Sequence, residues 1–169
     1  MARMKFTLWP WLIIFMMIAS VIWMMNRLTL QLQQTDACKN NLETIYNILR
    51  THESEHGQLP SFDMFSQDPL EDEESLPNLL KSYGFDPSLA ICPASPQVLR
   101  EHGLSYLWNS TLNQGSLMNR DEPTWVLVDV QALDDRIAGP HFGSYHILYS
   151  DGRVERTPHP PHTLPVQFD

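Results

Sequence analysis

Residues 38–60 read CKNNLETIYNILRTHESEHGQLP, and their spacing decides the architecture. Cys38, Leu42, Ile45 and Leu49 recur at the four-three-four interval that lines one face of a helix. Gly57 can cap the carboxyl end of that helix, and Pro60 blocks its continuation. Working backwards, no glycine or proline occurs from Trp11 to His56, a run of 46 residues, whereas all seven glycines lie at or beyond Gly57. One unbroken helix is therefore predicted, up to about 70 Å long at 1.5 Å per residue. Its second half carries an apolar stripe that needs a partner surface.

The first half has a different composition. From Phe6 to Met25 the sequence FTLWPWLIIFMMIASVIWMM contains twenty residues and no charge. A helix of that length spans roughly 30 Å, the thickness of a bilayer's hydrocarbon core. Arg3 and Lys5 precede it, Arg27 follows it, and Trp9, Trp11 and Trp23 lie near its ends, where indole rings favour the interface. A cleaved signal peptide is the alternative. Ala19-Ser20 is followed by further apolar residues rather than by a polar mature start, so an uncleaved anchor is the preferred reading. The expected division is a cytoplasmic segment 1–5, a transmembrane helix 6–25 and an extramembrane continuation 26–57, in the inner (cell) membrane. The basic start keeps the N-terminus cytoplasmic and places the remainder outside the cytoplasm.

Beyond residue 57 the helix breakers become frequent. Residues 58–103 read as irregular structure with a short helix near Leu76–Tyr83. Four strand-like runs follow: LSYLWNS (104–110), TWVLVDV (124–130), SYHILYS (144–150) and RVERT (153–157). Asp151-Gly152 between the last two predicts a two-residue hairpin with a type I′ turn, in which both central residues take positive φ. Trp108, Trp125, Tyr106, Tyr145 and Tyr149 are expected in the core between helix and sheet. The expected fold is α+β, a long N-terminal helix packed on a small antiparallel head (58–157), followed by a Pro-rich tail (158–169). A few strands cannot stand alone, and the helix supplies the covering layer.

Charge and cysteine content narrow the function. The net charge of −9 weighs against a nucleic-acid partner, since phosphate binding needs a basic surface. Asp68, Glu71, Asp72, Glu73 and Glu74 read as a solvated acidic loop, because they lack the ligand spacing and the turn glycine of a calcium loop. Cys38 and Cys92 are the only cysteines. In an oxidising compartment they are expected to pair; two buried thiols are the alternative.

With these pieces in place the chain resembles the type II secretion pseudopilins and other type IV pilin-like proteins, in the branch whose C-terminal motif is His, nine residues, Asp-Gly. His141 and Asp151-Gly152 have that spacing. The segment 38–60 is similar to the family's spine helix, ICPASP (91–96) to its central Cys-Pro, and SYLWN (105–109) and WVLVDV (125–130) to its strands. The resemblance implies a pilin-like lollipop fold without cofactors. Its partners would be the membrane and other pilin-like subunits or secretion-system components, and its function assembly rather than catalysis. At the start, KFTLWP keeps the family's Phe6-Thr7-Leu8. Lys5 stands where a prepilin has glycine, and Pro10 where it has glutamate. These departures weigh against processing and filament entry, and leave a non-polymerising anchored module open as an alternative.

An enzyme reading rests on His52-Glu53-Ser54-Glu55-His56, which matches H-E-x-x-H. Two histidines four apart on a helix can hold zinc, with the glutamate as general base. The motif sits in the last helical turn, and no third histidine follows at the usual short spacing. The plainer expectation is that His52 and His56 prolong the stripe of Leu42, Ile45 and Leu49 and pack under the sheet. His141 with Asp151 lacks a nucleophile elbow, so His141 is expected to hydrogen-bond near the hairpin. Asn109-Ser110-Thr111 forms a glycosylation sequon.

Overall fold

A computed structural model describes residues 9–118, 122–134, 136–161 and 164. Lys5 and Phe6 lie outside the described residues. Pro10 is within the first helix, but its side chain is not described. The chain divides into two compact units, Met1–Gln33 and Gln34–Asp169.

Helix α1 runs from Trp9 to His56 without a break. In the first unit its apolar side chains, among them Trp11, Phe15, Met17, Ile22, Trp23 and Leu28, are exposed. This stretch is long and apolar enough to cross a membrane. In the second unit Cys38, Leu42, Ile45 and Leu49 are completely buried, as their interval requires. The helix ends at Gly57, whose amide donates to the Glu53 carbonyl at 2.8 Å and whose φ is +75°.

Segment 58–103 is wound more than expected. Beyond α2 (Leu76–Leu79) and a 3₁₀ turn at Lys81–Tyr83, it forms a second 3₁₀ turn at Pro87–Ala90 and helix α3 (Gln97–His102). Leu59, Phe62, Leu76, Leu80, Phe85 and Ala90 point into the same core as the α1 stripe. Cys38 and Cys92 form a disulfide, which ties this segment to the helix.

Strands β1 (Tyr106–Trp108), β2 (Trp125–Asp129), β3 (Tyr145–Tyr149) and β4 (Val154–Thr157) form an antiparallel meander in chain order. The register shifts between Trp125 and Leu127. Consequently Val126 and Leu127, adjacent in sequence, both join the core beneath α1. The sheet has two buried faces, not one. Tyr106 and Trp108 lie in the core with α1, but Trp125 and Tyr145 lie in a second core with Leu107, Val128, Ala132 and Ile147. Phe65, Val130, Leu133, Tyr149 and Leu164 flank that second core, so a loop, the 3₁₀ turn Val130–Leu133 and Leu164 of the tail cover it. The aromatic residues are therefore divided between two layers, where a single core was expected.

The β3–β4 connection also differs from the expected turn. Its loop has three residues, Ser150–Gly152. The Gly152 amide donates to the Tyr149 carbonyl, and the Tyr149 amide donates to Arg153. Gly152 has φ +85°, whereas Asp151 is not among the positive-φ residues. This is the three-residue hairpin that ends in a left-handed glycine bulge, not a type I′ turn. Glycine is required twice over, since a Cβ here would lie 2.6 Å from Cε1 of Tyr46 on α1. The Tyr46 hydroxyl donates to the Ser150 carbonyl at 3.3 Å. Positive φ at two successive central residues occurs instead at Phe142 (+57°) and Gly143 (+79°).

Candidate functional site

His141 is placed by that earlier turn. It exchanges both backbone hydrogen bonds with Ser144, at 3.1 and 3.2 Å, around Phe142-Gly143. The tight pair aims the imidazole inward, and its side chain is fully buried. There it meets Asp129, not Asp151. Nε2 of His141 lies 3.3 Å from Oδ2 of Asp129 and 3.6 Å from Sγ of Cys92, and Nδ1 lies 3.4 Å from the Thr35 hydroxyl on α1. His141 was expected to bond near the hairpin and does not. Asp151 is exposed and caps the backbone amide of Arg153 at 3.0 Å.

His146 completes the group. It lies on the α1 side of β3, with its ring centroid 3.9 Å from that of His141. Its backbone amide donates to Oδ2 of Asp129 at 2.6 Å. Asp129, His141 and His146 are 0, 0 and 3% exposed, so three ionisable side chains share one water-excluded corner. One donor atom from each lies within 4.8 Å of the others. Nδ1 of His146 and Oδ1 of Asp129 have no hydrogen-bond partner. Such atoms are uncommon in a folded interior.

The electrostatics follow from burial. The His146 pKa is pushed down to about 3, chiefly by desolvation, then by His141 and by the charges of Arg156 and Lys39. The ring is therefore neutral at physiological pH. Asp129 is shifted upward by burial, against the opposing pull of His141 and the His146 amide. Burial also raises the neighbouring Tyr106 well above the ordinary phenol value, with the Asp129 charge adding to it.

The H-E-x-x-H segment is arranged differently. Glu53, not His52 or His56, continues the buried stripe, four residues after Leu49. Its Oε1 accepts from the Ser116 hydroxyl and from the Leu117 amide at 3.1 Å. His52 and His56 stack at 4.3 Å on the outside, and Nδ1 of each faces a carbonyl, Gln58 and His52 respectively. Desolvation followed by the charge of His56 lowers the His52 pKa. The Tyr83 hydroxyl lies 3.1 Å from Nδ1 of His56. The structure thus holds the two histidines together and turns the glutamate away from them. Asn109 of the sequon is buried and donates to the Trp125 carbonyl, which leaves its amide nitrogen unavailable to a sugar.

Sequence reasoning missed Asp129 and Thr35. The available signal for Asp129 was its place at the end of WVLVDV, a carboxylate closing a strand that is otherwise apolar on both faces. Comparison with family models, curated proteins and solved structures gave no match.

Proposed function

We propose that this protein is a pseudopilin-like, membrane-anchored structural component of a secretion or pilus-type assembly, with its head outside the cytoplasm. The observation that carries the reading is α1. One continuous helix exposes apolar side chains as far as Leu32 and then buries a stripe beneath the sheet. In lipid, helices of this kind associate side by side through packing. The disulfide supports an oxidising environment for the head, which agrees with a cytoplasmic N-terminus. The helix would act as the membrane-embedded spine and the head as the part that meets other subunits.

A zinc peptidase is less well supported, because Glu53 engages Ser116 and Leu117 instead of facing a space between His52 and His56. The discriminating experiment is the mass of the mature N-terminus in protein taken from its native membrane. A chain beginning at Phe6 identifies a processed subunit. A chain that retains residues 1–5 identifies a permanent anchor, and the pilin-shaped module that does not polymerise becomes the reading.

A further inference from the structure

We propose that Asp129, His141 and His146 form a buried site for one divalent transition-metal ion of the zinc class. Two imidazoles and one carboxylate are a donor set that zinc accepts, with one further position left for a small ligand. The donors already approach the required separation. Tetrahedral zinc with ligand bonds near 2.0–2.2 Å sets its donor atoms about 3.3–3.6 Å apart. Oδ2 of Asp129 and Nε2 of His141 are 3.3 Å apart, and all three donors lie within 4.8 Å.

An ion pair between Asp129 and His141 alone would not account for the rest of the corner. It leaves His146 tilted against His141 with Nδ1 unpartnered, and Oδ1 of Asp129 unpartnered as well. A cation gives this surplus of lone pairs a use. Outer contacts that orient the donors are also present. The Thr35 hydroxyl beside Nδ1 of His141 can either donate or accept, so it can hold the tautomer that frees Nε2 for metal. The His146 amide fixes the Asp129 carboxylate.

A second cluster, Cys38, Cys92 and His141, also brings three donors together. With the disulfide closed its sulfurs are not thiolates, so the nitrogen and oxygen donors are the ones offered to metal.

The test uses the full chain in detergent, expressed with added zinc and titrated again with Zn²⁺ after purification. His52, His56, His159 and His162 are replaced by alanine, which leaves His102, whose Nε2 lies 2.9 Å from the Ser66 carbonyl oxygen, as the remaining imidazole outside the site. The expected results are one zinc per chain in both the parent and this variant, and X-ray absorption showing two imidazoles and no sulfur. Zinc should also raise the thermal midpoint, and a chelator should reverse the shift. In this background Asp129→Asn and His146→Gln should each lower affinity at least tenfold. Absence of stoichiometric zinc from the parent overturns the proposal. So does loss of zinc from the variant lacking the four histidines, or sulfur in the metal's first coordination sphere. The absorption spectrum and the four-histidine variant decide the matter even if Asp129→Asn fails to fold.

Discussion

At the scale of single residues, Gly152 joins sequence to contact most directly. Its φ of +85° and the proximity of Tyr46 give alanine two separate penalties. Gly57 has a similar φ of +75° and nothing within 4 Å of a built Cβ, so it isolates the backbone part. Gly57→Ala should cost about 1 kcal/mol and Gly152→Ala about 2–4 kcal/mol, measured by denaturant unfolding. Gly152→Ala combined with Tyr46→Ala should lose less than the sum of the two single changes. His146 supplies a pH dependence in chelator-treated protein. Its native pKa lies near 3, below the ordinary 6.5. Between those values the unfolded chain binds the proton and the native chain does not. Stability should therefore fall as pH drops from 6.5 towards 3, by up to about 1.4 kcal/mol per unit, and level off below. Asp129, shifted upward, contributes with the opposite sign near the acid end of this window. In His146→Gln the decline should be shallower, as read by thermal midpoints at pH 7, 6, 5 and 4.

At the scale of elements, α1 was legible because its signals are local. The four-three-four interval, the breaker-free run and Gly57 all act within a turn or two. The four strands were legible from their alternation with polar punctuation. The two-sided burial of the sheet was not, because it depends on loops whose packing has no periodicity. The hairpin turn was misread because Asp-Gly is compatible with two loop lengths, and the contact with Tyr46 lies more than 100 residues away in sequence. For the same reason the buried corner was only half visible. His141 stood out in a motif, but Thr35 and Asp129 reach it from α1 and β2. Glu53 illustrates the point again. It looked like part of a metal motif, yet it secures the loop at Ser116 and Leu117. Glu53→Ala should destabilise the head by about 1–3 kcal/mol, because the Leu117 amide is buried with it. Thermal unfolding beside His56→Ala, which should change little, checks this.

At the scale of the whole molecule, the hydrophobic core of the second unit takes its α1 residues from Cys38 onward, and Thr35, also buried, lies just before them. A chain starting at Gln34 should therefore keep its disulfide and its near-ultraviolet circular dichroism, and should need no detergent. Opening the bridge with Cys38→Ser should cost about 4 kcal/mol, the chain-entropy value for a closed loop of this size, by the shift of the urea midpoint.

The same bridge has a mechanical consequence. Cys38 lies only five residues beyond the first unit, so a load applied through the N-terminal helix enters the second unit beside the bridge. The covalent path then passes straight from Cys38 to Cys92, which are 54 residues apart in sequence. The intervening chain carries no tension and cannot be drawn out. At about 3.4 Å per extended residue, roughly 180 Å of contour stays locked away. In a single-molecule pull between the N-terminus and the C-terminus, reduction should lengthen the final extension by about that amount. Under load, β1–β4 and the tail can be drawn out, while the chain between Cys38 and Cys92 stays outside the load path until the bridge is reduced.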